Sequence, residues 1–445
     1  ERYYIEGSFG YNGSERFAKK HRMGFFPSVG GAWVASKEPF MMGAANWLSF
    51  LKLRLSYGKV GNDGIINNPR FVHLPSISQG NDVVSFRPGE NTIKPYVISG
   101  YPNEDITWEI AEQVNFGLEA TFFNGLFETT VDIYQQIRHN VLDKRTVVPE
   151  AMGLGIQPLD NIGKVKSQGL DFSGKIQHAF SPDLWVILNG TLTYNKAVFE
   201  EIEEAADKPY YQWRKGHDIS QAVGYIAEGL FRDEQEIANS PVQGGDLMPG
   251  DIRYRDVNDD GVVDVEDAVH IGFPTTPRLI YGFNGFVNYK GLEFSFAFQG
   301  SGQRGFFINP AAMSPFANNH ALLTAIYKDH WSTDNMSERP LWPRLSTKNI
   351  IEHNPQEDAS SDKETRMSTY FLRECRFLRC TSLELAYNLP KQWSRKLALK
   401  NLKVFVRANN PFIISNFDLW DVELGNNGFN YPIQKTYSVG LNVNF

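Results

Sequence analysis

Apolar and polar residues alternate along much of this chain, most clearly over its last stretch, Tyr431 to Phe445. Tyr437, Val439, Leu441, Val443 and Phe445 interleave with Ser438, Gly440, Asn442 and Asn444. A period of two is that of a strand with two unlike faces. The apolar face carries an aromatic at each end, as a transmembrane β-barrel's girdles do, and the other face is small and polar like a barrel lumen. A soluble sandwich strand would alternate in the same way, so this strand alone does not decide between them.

The pattern recurs. Tyr3, Ile5, Gly7 and Phe9 form one face of an opening strand, and a second run covers Phe25 to Ala35. Trp47, Leu51, Leu53, Leu55 and Tyr57 oppose Lys52, Arg54 and Ser56. Val114 to Phe122 and Phe127 to Ile133 flank Asn124-Gly125, a tight-hairpin signal. Further strands are expected over 162–179, 184–199, 279–289, 292–299, 370–388 and 402–414, with a short helix over Lys391 to Lys400. Leu292, Phe294, Phe296 and Phe298 should face lipid, and Glu293, Ser295 and Gln299 the interior. The connections then alternate in length. Those at 124–125, 181–183 and 290–291 are tight, 37–46 and 389–400 are moderate, and 58–105, 142–160, 200–277, 300–369 and 415–430 are long. Outer-membrane barrels have short periplasmic turns and long outer loops, whereas a Greek-key sandwich has no reason for this rhythm. The expected fold is therefore all-β, a transmembrane antiparallel barrel portion of about twelve strands, an even number as such barrels require.

Composition changes little. The chain has 445 residues, 42% of them hydrophobic, and a mean hydropathy of -0.36. No apolar run is long enough for a membrane helix, as a barrel with half of each strand facing water would have it. A net charge of -7 and a pI near 5.8 argue against a nucleic-acid partner. The two cysteines, Cys375 and Cys380, lie on one expected strand, roughly 17 Å apart at 3.3 Å per residue, too far to pair. No secretory signal is present, and Glu1 to Ile5 reads as though already inside a strand, as a piece of a longer protein would.

One motif carries chemistry. Asp256 to Asp267 fits an EF-hand-type calcium loop, with oxygen ligands at positions 1, 3, 5, 9 and 12 and glycine at 6. Asp256, Asn258, Asp260 and Asp264 would ligate through side-chain oxygens, Val262 through its carbonyl, and Asp267 stands where glutamate is usual. The loop falls in the longest outer connection and is expected to have little apolar material of its own, so a cation would supply its order. No catalytic constellation stands out: there is no HExxH, GxSxG or phosphate loop, and Glu200-Glu201 and Glu203-Glu204 read as a solvated face. Tyr210, Tyr211, Trp213, Trp331 and Trp342 in the long connections would stack on sugar rings or peptide side chains, or pack the loops together.

Several blocks resemble the SusC-like (RagA-like) branch of TonB-dependent outer-membrane transporters. These are Tyr11 to Phe17 with Gly24 to Ser28, Trp47 to Gly58, Thr107-Trp108-Glu109 with Glu112 to Asn115, and Asn161 to Val165 with Gly169. Tyr281 to Asn284, Tyr289 to Gly291, Phe298 to Ser301 and the last strand complete the set. The calcium-type loop also resembles one at this place in the family. The resemblance implies a 22-stranded barrel of which 1–445 is the C-terminal part, with the plug domain and early strands lying elsewhere. It implies import of oligomeric glycans or peptides, a SusD-like surface lipoprotein over the outer loops, the TonB complex inside, and a dimer of such pairs in outer-membrane lipid. The rival expectation is a secreted calcium-binding, carbohydrate-binding β-protein without transport.

Overall fold

The computed structural model describes the chain except residues 65–70, 81–93, 149, 206, 317, 318, 320, 359–366, 397, 398, 427 and 445. Phe445, the expected terminal aromatic, thus lies outside the described residues. Twelve strands follow sequence order in one sheet. They are β1 (Tyr3–Gly13), β2 (Met23–Trp33), β3 (Leu48–Asn62), β4 (Glu109–Phe122), β5 (Phe127–Lys144) and β6 (Leu159–Ser181). The second six are β7 (Leu184–Glu201), β8 (Leu279–Tyr289), β9 (Leu292–Gly302), β10 (Phe377–Asn388), β11 (Asn401–Ser415) and β12 (Thr436–Asn444). No described helix is long and apolar enough to cross a membrane. Two compact units divide the chain: 1–172 with 195–208 and 213–219, and 173–194 with 209–212 and 220–445.

In the first unit, register puts Ile5, Gly31, Leu55, Phe116 and Ile133 in one row across β1 to β5. Ile5 is 88% exposed and Ile133 52%, so this apolar face meets no protein of its own. The opposite face is charged and paired. Lys52 and Arg54 approach the same oxygen of Glu119 at 3.4 and 3.0 Å, and Arg54 reaches on to Asp132. Both faces follow the alternation read from Trp47 to Tyr57.

A buried cluster of Phe17, Phe26, Val72, Ile106 and Trp108 closes one end of this unit. The Phe26 ring lies where a Cβ on Gly24 or Gly61 would stand, so glycine at both positions makes room for it. Asn161 secures the neighbouring segment: its side chain accepts from the Thr107 amide at 2.8 Å and donates to the Asn140 carbonyl at 2.6 Å. Blocks far apart in sequence, around residues 17, 26, 108 and 161, thus converge.

In the second unit, one row runs Val186, Val287, Phe294, Leu385, Val406, Val439 across β7 to β12. Val439 is 77% exposed. Leu292, Phe294, Phe296 and Phe298 share this face as expected. Glu293 points the other way, accepting from Asn388 at 2.5 Å and pairing with Lys403 at 2.6 Å. The β8–β9 turn, Lys290-Gly291, has φ of 50° and 86°, the left-handed pair that a two-residue hairpin requires.

Some expectations need correction. The β4–β5 turn is not the two residues Asn124-Gly125: Phe123, at φ 50°, joins them in a tight helical turn. The strand expected from 370 begins at Phe377. Leu372–Glu374 instead pairs with Gly305–Phe307, which leaves Cys375 ahead of β10 rather than on it. Both cysteines are buried and unpaired with each other. The helix after β10 spans Lys391–Lys396.

Candidate functional site

The long connections of the second unit are packed. Tyr225, Ala227, Leu230, Ile252, Tyr254 and Val263 from 202–278 join Phe306, Ile308, Ile326, Trp342, Ile350, Tyr370 and Phe371 from 303–376, with Phe417 and Val422 from 416–435. The loop 256–267, expected to have little apolar material of its own, contributes Val263 to this core. The rest of the core comes from short apolar runs without a period, which a reading based on periodicity does not find. Trp342 belongs to this core, with its ring 5.4 Å from that of Phe371. The third connection is also tied to the polar face of the sheet. Arg379, on β10 and only 4% exposed, meets Asp421 and Glu423 at 2.5 Å each.

The 256–267 loop sits on this core. Val262–Val263 pairs in parallel with Val242–Gln243, and Val263 is buried. Gly261 takes a φ of 88°, which allows the sharp turn at position 6. Asp256 accepts from the Gly261 amide at 2.7 Å and the Asp260 amide at 3.3 Å. Asp260 accepts from Val262 at 2.8 Å, and Asn258 from Asp260 at 3.1 Å. The Asn258 amide also donates to Asp260 at 3.0 Å and to Glu266 at 3.4 Å, so it holds two carboxylates near each other.

Asp264 caps the turn Val265–Asp267 through the Glu266 amide at 2.8 Å. Asp267 is fully buried and closes the loop head to tail, accepting from Val257 at 2.6 Å and from Asp264 at 2.8 Å. Among the described residues no three His, Cys, Asp or Glu side chains converge closely enough to cage a metal ion. The first three acidic or amide positions gather around Gly261, while Asp264 and Asp267 each serve a turn.

The negative charge is felt nearby. Tyr211 donates to the Glu266 carbonyl at 2.8 Å. Burial, and then the carboxylates of Asp267, Glu266, Asp260 and Asp264, push its phenol above the ordinary range. Gln212 donates to the carbonyls of Val265 and Glu266, both at 2.8 Å.

Sequence reasoning missed a buried polar group beside this loop. Asp251 takes contacts from His353 at 2.6 Å, Arg344 at 2.9 Å and Asn354 at 3.2 Å. Glu357 accepts from Tyr254 at 3.0 Å and from the Ser368 amide at 3.2 Å. Partners about a hundred residues apart leave no spacing signal.

An exposed apolar face, a paired polar face and packed long connections match a known architecture. The family profile described as TonB dependent receptor-like, beta-barrel, matches residues 2–338. The chain belongs to that family. Its place is the outer membrane, where the apolar rows meet lipid. Among curated relatives, TonB-dependent receptor P26 of Formosa agariphila is 26% identical over 98% of this chain and 44% of its own length. TonB-dependent receptor SusC of Bacteroides thetaiotaomicron is 26% identical over 100% of this chain and 42% of its own. This chain thus spans less than half of the relatives it matches. In fold it resembles the structure of the RagAB peptide transporter, with a TM-score of 0.73 and 22% identity over 100% of this chain and 46% of that one.

Proposed function

We propose that this chain forms part of a TonB-dependent importer of oligomeric nutrients, glycans or peptides. The observation that carries the reading is the pairing of a lipid-facing sheet with long connections built around their own core. Such a core gives a firm outer surface on which a SusD-like lipoprotein can close. The charged face supplies a watery lumen, and the upstream part would bring the plug, the TonB contact and the remaining strands. Dimerisation of transporter–lipoprotein pairs belongs to the same reading. The rival, a secreted calcium-binding, carbohydrate-binding protein, is disfavoured by rows such as Ile5 to Ile133, which would stand bare in water. The test is uptake of labelled oligosaccharides and oligopeptides by cells carrying or lacking the gene, with and without a proton-motive force. Gene- and energy-dependent uptake of either class supports import, and equal uptake in both strains overturns it.

Calcium is the second part of the proposal. Asp256, Asn258, Asp260, Val262, Asp264 and Asp267 offer hard oxygen donors, the class calcium takes. A carboxylate oxygen that accepts one amide keeps a second lone pair for a cation, so the bonds to Asp256, Asp260 and Asp267 do not exclude the ion. It would relieve the repulsion felt as far as Tyr211 and hold the first and last thirds of the loop together. Its role would be structural.

A further inference from the structure

Glu357 is a fully buried carboxyl at the meeting point of three segments. It ends the turn Pro355–Glu357 that follows the helix Ile350–His353. Tyr254, its partner at 3.0 Å, lies on the strand Ile252–Tyr254 of the 202–278 connection. Ser368, whose amide donates at 3.2 Å, lies on Met367–Ser368, which pairs in parallel with Gly224–Tyr225. The carboxyl therefore bonds to one outer connection and braces the strand of another segment that pairs with it.

Among the described residues, its charged neighbours are committed to other partners. From the Ile252–Tyr254 side come Tyr254 and Asp251, and from Gly224–Tyr225 comes Tyr225, whose influence on Tyr254 is of the same sign. Tyr370, two residues after Ser368, donates its hydroxyl to the Pro340 carbonyl at 2.7 Å. Of the charged groups that act on Tyr370 together with Glu357, Arg373 donates to the carbonyls of Tyr370 and Leu372, Arg339 donates to that of Ala227, and Asp329 accepts from the Leu341 amide. On the helix, His353 is committed to Asp251, and Glu352 turns back to the Asn349 amide at 3.0 Å. Arg344, from Trp342–Arg344, also spends itself on Asp251. No hydrogen bond or ion pair among the described residues joins a cation to Glu357. A buried carboxylate without a cation is costly, so such groups tend to hold a proton instead.

We propose that Glu357 is a proton-operated joint in the outer loop assembly: protonated, it lets the 202–278 and 303–376 connections stay packed, and ionised, it loosens them. Burial raises the carboxyl to about 7, against the pull of the Ser368 and Tyr254 hydrogen bonds. A folded-state value above the unfolded one means that the stabilisation is full at acid pH. It fades as pH rises through the folded value. The switch is independent of what is imported.

The experiment is hydrogen exchange on the full-length transporter in micelles at about pH 5.5 and 8.5, corrected for intrinsic exchange, because linkage acts across that window. Protection of 224–230, 250–254 and 350–357 should fall roughly tenfold or more at the higher pH, since each tenfold in proton affinity is tenfold in the equilibrium. Strands β8 and β9 should not change. Glu357→Gln should remain protected at both pH values. Unchanged protection in the native protein overturns the proposal, and so does an undiminished pH response in Glu357→Gln. If that variant does not assemble, infrared spectroscopy of the native protein decides. A buried carboxylic-acid band that disappears across neutral pH supports the joint, and absence of the band at acid pH overturns it.

Discussion

Arg54 and Asp132 meet across an intervening strand. The guanidinium of Arg54 on β3 contacts both carboxylate oxygens of Asp132 on β5 at 3.1 Å, passing over Gly117 of β4. A Cβ on Gly117 would stand 2.7 Å from Asp132 and 2.8 Å from Arg54. The Asn115 amide completes the group with a 2.8 Å bond to the same carboxylate. The glycine is thus what allows a charge pair to span three strands of the polar face.

Gly117→Leu should therefore displace the pair and cost about 1–3 kcal/mol, the range of overpacking in a well-filled site. Gly190 on β7 is the control, because a Cβ there has nothing within 4 Å, and Gly190→Leu should change stability by no more than about 0.5 kcal/mol. Unfolding of the protein in detergent, followed by its heat-modifiable gel mobility, measures both. Equal effects of the two variants would show that Gly117 is not a crossing point.

Phe296 tests the other face. Its ring sits where a side chain on Gly285 would be, with Cζ 2.4 Å from that position, so the pair forms a fitted patch on the apolar side. Phe296→Arg should cost about 2–4 kcal/mol near the bilayer midplane, while an arginine at Ser295 would point to the polar side and cost much less. Folding yield into vesicles of the two variants is the readout. A milder effect at 296 than at 295 would reverse the assignment of faces.

Among the described residues, β1 and β12 each pair with one strand of the sheet. Open edges do not survive in lipid, where every backbone amide needs a partner. Refolded alone, residues 1–445 should aggregate, and co-refolding with the proposed upstream part should restore a discrete heat-modifiable species. A monodisperse barrel from 1–445 alone would contradict this.

The sheet was legible because each strand has one wet and one dry face, a contrast that survives in a single sequence. Val439 and Ser438 declare their sides without any partner being known. The loop core was not legible. Leu372–Glu374 is a strand only because Gly305–Phe307 lies beside it, and Glu357 finds Tyr254 across 103 residues of chain. Such elements are fixed by tertiary contact rather than by local period. The acidic loop lies between these cases. Its spacing is local and could be read, and the turn at Gly261 follows it, but the commitment of Asp267 to the amides of Val257 and Asp264 depends on burial, which spacing does not reveal.

That commitment sharpens the calcium prediction. If the ion binds, oxygens of Asp256, Asn258, Asp260, Val262 and Asp267 should lie about 2.3–2.6 Å from it, with Asp264 ligating directly or through water. Magnesium suits the site less, because it holds its waters and demands a regular octahedron. The Asn258 amide that now bridges Asp260 and Glu266 would have to turn its oxygen inward, so Asn258→Asp should tighten binding by removing that competition. Asp260→Ala should weaken it and expose the loop to protease. Because Val263 is anchored in the loop core, nicking should be confined to roughly 255–268 and leave both the core and the sheet intact. Isothermal titration of the protein with calcium, followed by limited proteolysis, measures both effects. A site that takes up no calcium, with the loop equally cut in chelator and in calcium, would leave Asp256 to Asp267 as a turn held by its own amides.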